Sequence, residues 1–176
     1  MKLREYLRAD ILANKDNKKG KYIVVFYRIC SYVKKSKNIF VKILGFPLRK
    51  IYSWLFYWIL GIEIPEDAEI GKGLQVWHGA ALIINKNAVL GDYVLLRHST
   101  TIGNKYEGSP TPRIGNYVDI GAHCVLIGDI TIGNNVTIGA GTIVTKSIPD
   151  NSIAYGNPMI VRTKKIKNIE ERSDQE

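Results

Sequence analysis

The chain has 176 residues, of which 45% are hydrophobic, and a formal net charge of +9; this length suits one compact body rather than two large domains. Its two cysteines, Cys30 and Cys124, form no CxxC pair, which excludes a disulfide framework and predicts reduced thiols. The charge is uneven: residues 1–62 carry 14 Lys/Arg and 3 Asp/Glu, whereas residues 63–160 carry 6 and 9. A basic segment indicates an anionic partner, and because no nucleic-acid-binding motif is present we expect a membrane surface or a phosphorylated ligand.

The N-terminal segment, residues 1–62, is predicted to be helical. Residues 2–14 and 21–36 both place apolar side chains at helical spacing, and a polar, Lys-rich break at 14–20 separates them. Residues 1–17 are polar and charged, unlike a secretory signal, so we expect a cytoplasmic protein.

The end of this segment, residues 39–62, is strongly apolar. Its uncharged run, residues 51–62, has 12 residues, whereas a membrane-spanning helix needs about 20. Two interpretations stay open. The helices pack on the rest of the protein or on neighbouring subunits, or they form an interfacial anchor with Trp54, Tyr57 and Trp58 at the headgroup level of the inner membrane face.

The central part of the chain carries an internal repeat. Between about Ile64 and Thr145 an aliphatic residue recurs at every sixth position and is often followed by glycine. A six-residue period is typical of a parallel β-helix, in which three hexapeptides close one triangular coil and stacked coils share a core. We therefore predict such a β-helix over residues 63–163, followed by a charged tail at 164–176. The repeat runs through Ile70, Val76 and Leu82, then Ile84, Leu90, Leu96 and Ile102, and then Ile114, Ile120, Leu126, Ile132, Ile138 and Val144.

The repeat is interrupted twice. Between Leu82 and Ile84 its phase shifts by two residues, and residues 104–112 lose the aliphatic pattern and are rich in turn formers. The second interruption predicts an extruded loop. Insertions in solenoids usually cluster on a functional face.

Two of the three histidines occupy equivalent positions on successive coils. His78 and His98 each lie two residues after an inward aliphatic residue, and their separation equals one coil plus the phase shift. Stacked strands lie about 4.8 Å apart, so the two imidazoles should be neighbours, and histidine is the common general base near neutral pH. His123 falls at another place in its hexapeptide and is interpreted as a structural or surface residue. We expect no metal centre, because the HxxxxH pair of the zinc-binding γ-type carbonic anhydrases is missing.

Several stretches resemble one family. They are GIEIPEDAEIGKGLQVWHGAALII, LLRHSTTIGN, PRIGNYVDIGAHCVLIGDITIGNNVTIGAGTIVTKSIP and AYGNPMIV. Together they resemble the serine acetyltransferase branch of the hexapeptide-repeat acyltransferases, and within it the short acetyltransferases of exopolysaccharide clusters of the colanic acid type. The resemblance covers residues 3–163. It implies a left-handed parallel β-helix, a homotrimer with active sites between subunits, and acetyl-CoA as cosubstrate.

The resemblance also implies roles for individual residues. The family's general base matches His78, and the acidic partner of that base matches Glu63. Two positions that serve the amino-acid acceptor in serine acetyltransferases are Trp77 and Thr111 here, which puts serine in doubt as the substrate. Trp77 would suit stacking on a sugar ring, or would be buried at the trimer interface. His98 is assigned to the acceptor site from its stacking position.

The expected acetyl-CoA site combines small residues with cations. The small residues lining the pantetheine arm match Gly121 and Ala122 and, one coil later, Gly139 and Ala140, while Asn157 lies in the family's closing motif. The full predicted set is Gly103, Gly121, Ala122, Gly139, Ala140 and Asn157, with Lys146, Lys164 and Lys165 as candidates for the phosphates of CoA.

The predicted function is transfer of an acetyl group from acetyl-CoA to a hydroxyl of a sugar or polysaccharide precursor. Two alternatives remain: a serine O-acetyltransferase of cysteine biosynthesis, and a non-catalytic β-helix scaffold at a membrane.

Overall fold

The structure, a computed structural model of the chain, describes residues 2–164. Within these residues three α-helices and a π-helical segment precede fifteen short strands. The helical elements are α1 (Leu3–Ala13), α2 (Lys18–Lys35), α3 (Ile39–Ser53) and the π-helical segment (Trp54–Ile59). The strands are β1 (Ile62–Glu63), β2 (Glu69–Ile70), β3 (Gln75–Trp77), β4 (Leu82–Ile84), β5 (Val89–Leu90), β6 (Leu95–Arg97), β7 (Thr101–Gly103), β8 (Arg113–Ile114), β9 (Asp119–Ile120), β10 (Val125–Ile127), β11 (Thr131–Ile132), β12 (Thr137–Ile138), β13 (Ile143–Val144), β14 (Ser152–Tyr155) and β15 (Ile160–Thr163).

The strands form three sheets that the chain visits in turn, which confirms the predicted parallel β-helix. Sheet A holds β1-β4-β7-β10-β13, sheet B holds β2-β5-β8-β11, and sheet C holds β3-β6-β9-β12-β14 with β15 added antiparallel at its edge. Each coil therefore has three corners, named here C/A, A/B and B/C after the sheets that they join. The C/A corner, which follows each strand of sheet C, holds His78 and His98.

The six-residue repeat supplies the core. In sheet C, for example, Val76 pairs with Leu96 and Leu96 pairs with Ile120, and all three side chains are fully buried. A second buried series lies two residues before each repeat position, such as Val94 before Leu96. The inward residues of the stacked coils form one continuous apolar core. Full burial of one aliphatic side chain contributes about 1.5–3 kcal/mol to stability.

The two interruptions of the repeat both lie at corners. From Val76 to Ile84 the chain takes eight residues instead of six, and the two extra residues enlarge the C/A corner that holds His78. Between β7 and β8, at the A/B corner, residues 104–112 project as a largely exposed loop. This loop adds six residues, one full hexapeptide, so the phase of the repeat is unchanged after it.

The helices cap the first coil, which has no coil before it to form hydrogen bonds with. Backbone carbonyls of this coil receive hydrogen bonds from helix side chains: Asn14 Nδ2 donates to Leu74 O at 2.7 Å, Asn17 Nδ2 to Val76 O at 2.9 Å, and Arg28 Nη1 to Ile70 O at 2.8 Å. Arg28 is itself 1% exposed and forms an ion pair with the equally buried Asp10, Nε to Oδ2 at 2.7 Å. Exposed strand edges are sites of unwanted pairing, and solenoids need such caps.

Candidate active site

The histidines predicted to be neighbours lie side by side at the C/A corner. The register of β3 on β6 pairs Val76 with Leu96, and each histidine follows its strand at the same distance. The ring centroids of His78 and His98 are 5.6 Å apart, with an edge-to-face angle of 80°. The prediction that the two imidazoles are neighbours is thereby confirmed.

His123 extends this pair into a row of three imidazoles. Its ring centroid lies 5.0 Å from that of His98, at an interplanar angle of 84°. The residue is exposed, as expected, but its contact with His98 was not predicted because His123 lies one position later in its hexapeptide. Its backbone N–H donates to His98 O at 3.1 Å, and its φ of 58° is positive, like the 55° of Ser99. The spacing of the repeat does not reveal this contact, because the left-handed backbone at the corner decides where the side chain lies.

His78 is one of eight non-glycine residues in the described chain that have a positive φ. Its φ of 68° lies in the left-handed region, where glycine or asparagine is favoured and other residues are uncommon. Such a conformation persists where the surroundings hold it. Here α2 supplies that support: a Cβ added to the next residue, Gly79, would lie 3.0 Å from Cδ1 of Ile23, so the corner packs directly on the helix.

His98 carries an unsatisfied polar atom. Its Nδ1 is buried and has no hydrogen-bond partner in the described part of the chain. Buried polar groups are almost always paired.

Glu63 and Trp77 lie on strands next to this corner. Glu63 ends β1 and pairs with Ile83 of β4, the strand that begins directly after the His78 turn. Its carboxylate contributes, behind burial and Glu66, to raising the pKa of the Tyr57 hydroxyl to about 12. Among residues 2–164 no hydrogen bond joins Glu63 to His78. Trp77 is 38% exposed and lies opposite Arg97 in sheet C.

Most of the small residues predicted to bind acetyl-CoA share the C/A corner with the histidines. Gly121 and Ala122 follow β9, and Gly139 and Ala140 follow β12 one coil later. A Cβ on Gly121 would meet the backbone of Ala140, so only glycine permits this close stacking. Asn157, in the turn after β14, continues the same corner on the last coil.

The other candidates lie at different corners. Gly103, Thr111 and Lys146 are at or beside the A/B corner. Lys164 lies near the B/C corner, where its Nζ donates to Asn135 Oδ1 at 3.0 Å. One chain therefore does not bring these four residues to the histidines. Lys165 lies outside the described residues.

Neither cysteine is placed as a nucleophile. Cys124 is buried beneath the C/A corner, where its Sγ donates to Gly139 O at 3.1 Å, and burial raises the pKa of its thiol. Burial also raises the pKa of Cys30 to about 12. A protonated thiol inside the core is a poor nucleophile. Within residues 2–164, no three His, Cys, Asp or Glu side chains are arranged to hold a metal ion.

Comparison with known proteins shows which family the chain belongs to. Residues 111–146 match the family described as bacterial transferase hexapeptide (six repeats). WcaB of Escherichia coli K12, provisionally named a colanic acid biosynthesis acetyltransferase, is 39% identical over 156 residues, which cover 87% of this chain and 96% of WcaB. A serine acetyltransferase of Helicobacter pylori (strain 26695) is 33% identical over 147 residues, or 82% of each chain.

A solved structure extends the match to three dimensions. Serine acetyltransferase from Brucella abortus strain S19, in complex with coenzyme A, superposes with a TM-score of 0.76 at 27% identity. The superposition covers 93% of this chain and 68% of that one. The chain therefore belongs to the hexapeptide-repeat acetyltransferases and is an acetyl-CoA-dependent acyltransferase.

Proposed function

We propose that the protein transfers an acetyl group from acetyl-CoA to a hydroxyl of a sugar or polysaccharide precursor, with His78 as the general base. The observation that carries this proposal is the convergence at one corner of the imidazole row and the small-residue strip. The row offers a proton acceptor, and the strip of Gly121 to Ala140 offers a narrow surface for the thioester arm. Both would be expected of direct transfer between two bound substrates.

In the proposed reaction the imidazole of His78 accepts the proton of the acceptor hydroxyl while that oxygen attacks the thioester carbonyl carbon. A C–O bond forms, the C–S bond breaks, and the proton passes from His78 to the departing CoA sulfur. Glu63 would orient the imidazole and stabilise its cationic form, as the acid of a catalytic triad does. No enzyme-bound acetyl intermediate is needed, which agrees with the buried, protonated cysteines.

We propose further that the working unit is a homotrimer. The candidates at the A/B corner, Gly103, Thr111 and Lys146, cannot join the histidines within one chain, but an adjacent subunit could supply them. An open groove of about 1070 Å³ is lined by residues of α1, α2 and the turn between them, and it includes none of the histidines. An open corner in the single chain fits a site completed by a neighbour.

The acceptor is proposed to be a sugar because of Trp77. A half-exposed indole beside His78 offers an apolar face for a pyranose ring, and it introduces no charge to pair with an amino acid's ammonium group. The second candidate is serine acetylation, which the serine acetyltransferases among the relatives favour. The similarity to WcaB favours a polysaccharide precursor.

The test is a comparison of acceptors. Release of free CoA from acetyl-CoA should accelerate on addition of sugar or oligosaccharide acceptors and should not respond to serine. Turnover with serine alone would overturn the sugar assignment. If calorimetry detects no binding of acetyl-CoA, the protein is a scaffold and the catalytic proposal is wrong.

A membrane location would place the enzyme beside a lipid-linked acceptor. We propose that it works at the cytoplasmic face of a membrane, with residues 1–62 as the contact. The charge of these residues supports the proposal, because they carry 14 of the chain's 25 Lys/Arg.

A further inference from the structure

The helical segment leaves one apolar surface uncovered. Eight large apolar side chains of α3 and the π-helical segment are between 53% and 83% exposed, and six of them form one surface. Their spacing follows one side of a helix, and we name this set the outward face. It consists of Phe40, Ile43, Leu44, Ile51, Trp54 and Trp58.

The opposite side of the same helix is firmly docked, so the orientation of the outward face is fixed. Tyr52 and Phe56 are buried, with ring centroids 4.4 Å apart, and Tyr52 Oη donates to Ile64 O at 2.7 Å. Arg49 adds a two-point ion pair with Glu66, at 2.8 and 2.7 Å. Across from α2, Gly45 lies so close to Val33 that any side chain there would clash.

A helix that is apolar all round is normally buried on both sides. Here only one side has a protein partner in the described chain. The element cannot cross a membrane, because none of the described helices combines the length and apolarity that a span requires. An apolar face of this kind suits a position in the plane of a bilayer surface, buried about 5–10 Å into the headgroup boundary.

The charges near the outward face indicate what kind of membrane surface it would bind. Residues 36–62 contain no Asp or Glu. Lys42 and Lys50 are both exposed on α3. Helical spacing puts Lys50 at the edge of the outward face, and its ammonium lies 5.4 Å from the ring centroid of Phe46. Tryptophan side chains prefer the headgroup region, and Lys/Arg beside them are attracted by anionic lipids.

We propose that the outward face of α3 and the π-helical segment is an in-plane membrane-binding surface for anionic phospholipid. Trp54 and Trp58 insert at the headgroup level, and Lys42 and Lys50 contact phosphate groups. The inference rests on the proposed membrane location and not on the proposed chemistry. It also has a geometric consequence. The same helical unit packs under the His78 corner through Ile23, so the lipid surface and the C/A corner are rigidly connected.

The test is sedimentation with vesicles of phosphatidylcholine, with and without phosphatidylglycerol. The wild-type chain should bind the anionic vesicles, more weakly at high salt but with a salt-resistant remainder. Leu44→Ser combined with Trp58→Ser should weaken binding at least about tenfold. Lys42→Gln combined with Lys50→Gln should remove roughly fivefold per lysine at low salt and little at high salt. Tyr22→Ser, at an equally exposed residue of α2, is the matched control and should bind like wild type.

Fluorescence identifies which side chains enter the bilayer. In a Trp77→Phe background only Trp54 and Trp58 emit, and lipids brominated near the headgroup should quench that emission. Absence of vesicle binding at every salt concentration, or binding that the outward-face variant leaves unchanged, would overturn the proposal. So would a change in oligomeric state in light scattering for Leu44→Ser/Trp58→Ser without vesicles, because the face would then be covered by a second copy. Acetyl transfer to a water-soluble acceptor, measured on Leu44→Ser/Trp58→Ser with Trp77 intact, separates this outcome from failure of the catalytic proposal.

Discussion

The β-helix and the helical segment use apolar residues in opposite ways. In the β-helix every repeat position faces inward, and chain segments from neighbouring coils cover it on all sides. In the helical segment one side of α3 packs on the first coil, while the other presents large apolar side chains to the surroundings. The charges follow the same division: residues 1–62 carry a net charge of +11, and the rest of the chain carries −2.

This contrast shows that apolar content alone does not locate a core. The column of the β-helix is closed because each coil buries its neighbour, which makes its stability a sum over repeats and interfaces. The helical segment caps the core of the β-helix, and its outward face is left exposed in the described chain. A single substitution should therefore have very different consequences in the two regions.

The strongest expected effect on stability lies where the two regions meet. Asp10→Ala leaves the guanidinium of Arg28 buried without its counter-charge, and breaking a buried pair in this way costs about 3–5 kcal/mol. Urea unfolding followed by circular dichroism measures the loss. Glu5→Gln, which removes only the exposed ion pair with Lys72, should leave the midpoint almost unchanged. Equal effects of the two variants would show that the cap does not depend on the buried pair.

An identical substitution in each region sharpens the contrast. Leu126 is fully buried in sheet A, whereas Leu44 on α3 is 82% exposed. Leu126→Ala should destabilise the protein by about 2–5 kcal/mol, and Leu44→Ala should change stability by no more than about 0.5 kcal/mol without lipid. Thermal unfolding of both variants, compared in the same buffer, decides the matter. A large loss for Leu44→Ala would mean that the outward face is covered in the free protein.

A smaller effect concerns the thiols, one in each region. Because burial raises the pKa of both Cys30 and Cys124, each thiol is more protonated at a given pH than a free cysteine and is shielded from reagents. Iodoacetamide at mildly alkaline pH should modify neither residue in the native protein and both in urea, as read by peptide mass spectrometry. Rapid native modification of Cys124 would reopen the question of a covalent intermediate.

The β-helix could be predicted almost completely from the sequence, because each inward residue has its own place in a fixed period. Counting positions within the same repeat placed His78 beside His98. It missed the contact of His123, since a left-handed residue at the corner turns a side chain in a way that spacing does not reveal. It also missed the second buried series, of which Val94 is an example, because small and medium side chains at those positions do not stand out.

The helical segment was less predictable. Its helices were expected, but periodicity could not say which side of residues 39–59 packs on the β-helix, since both sides are apolar. The position of the π-helical segment has no evident signal either. Thr111, Lys146 and Lys164 lie at other corners because of the way the coils close. A resemblance carried over residue by residue holds no information on how the coils close.

The central claim is that His78 is the base that accepts the hydroxyl proton. The most direct measurement is kcat of His78→Asn beside that of His98→Asn, with saturating acetyl-CoA and the acceptor that proves active. Asparagine tolerates the left-handed backbone at position 78, so the fold should be preserved, which circular dichroism verifies. The account predicts a fall of about 10²–10⁴-fold for His78→Asn and a smaller fall for His98→Asn. A near-normal kcat for His78→Asn, or a larger loss for His98→Asn, would contradict it.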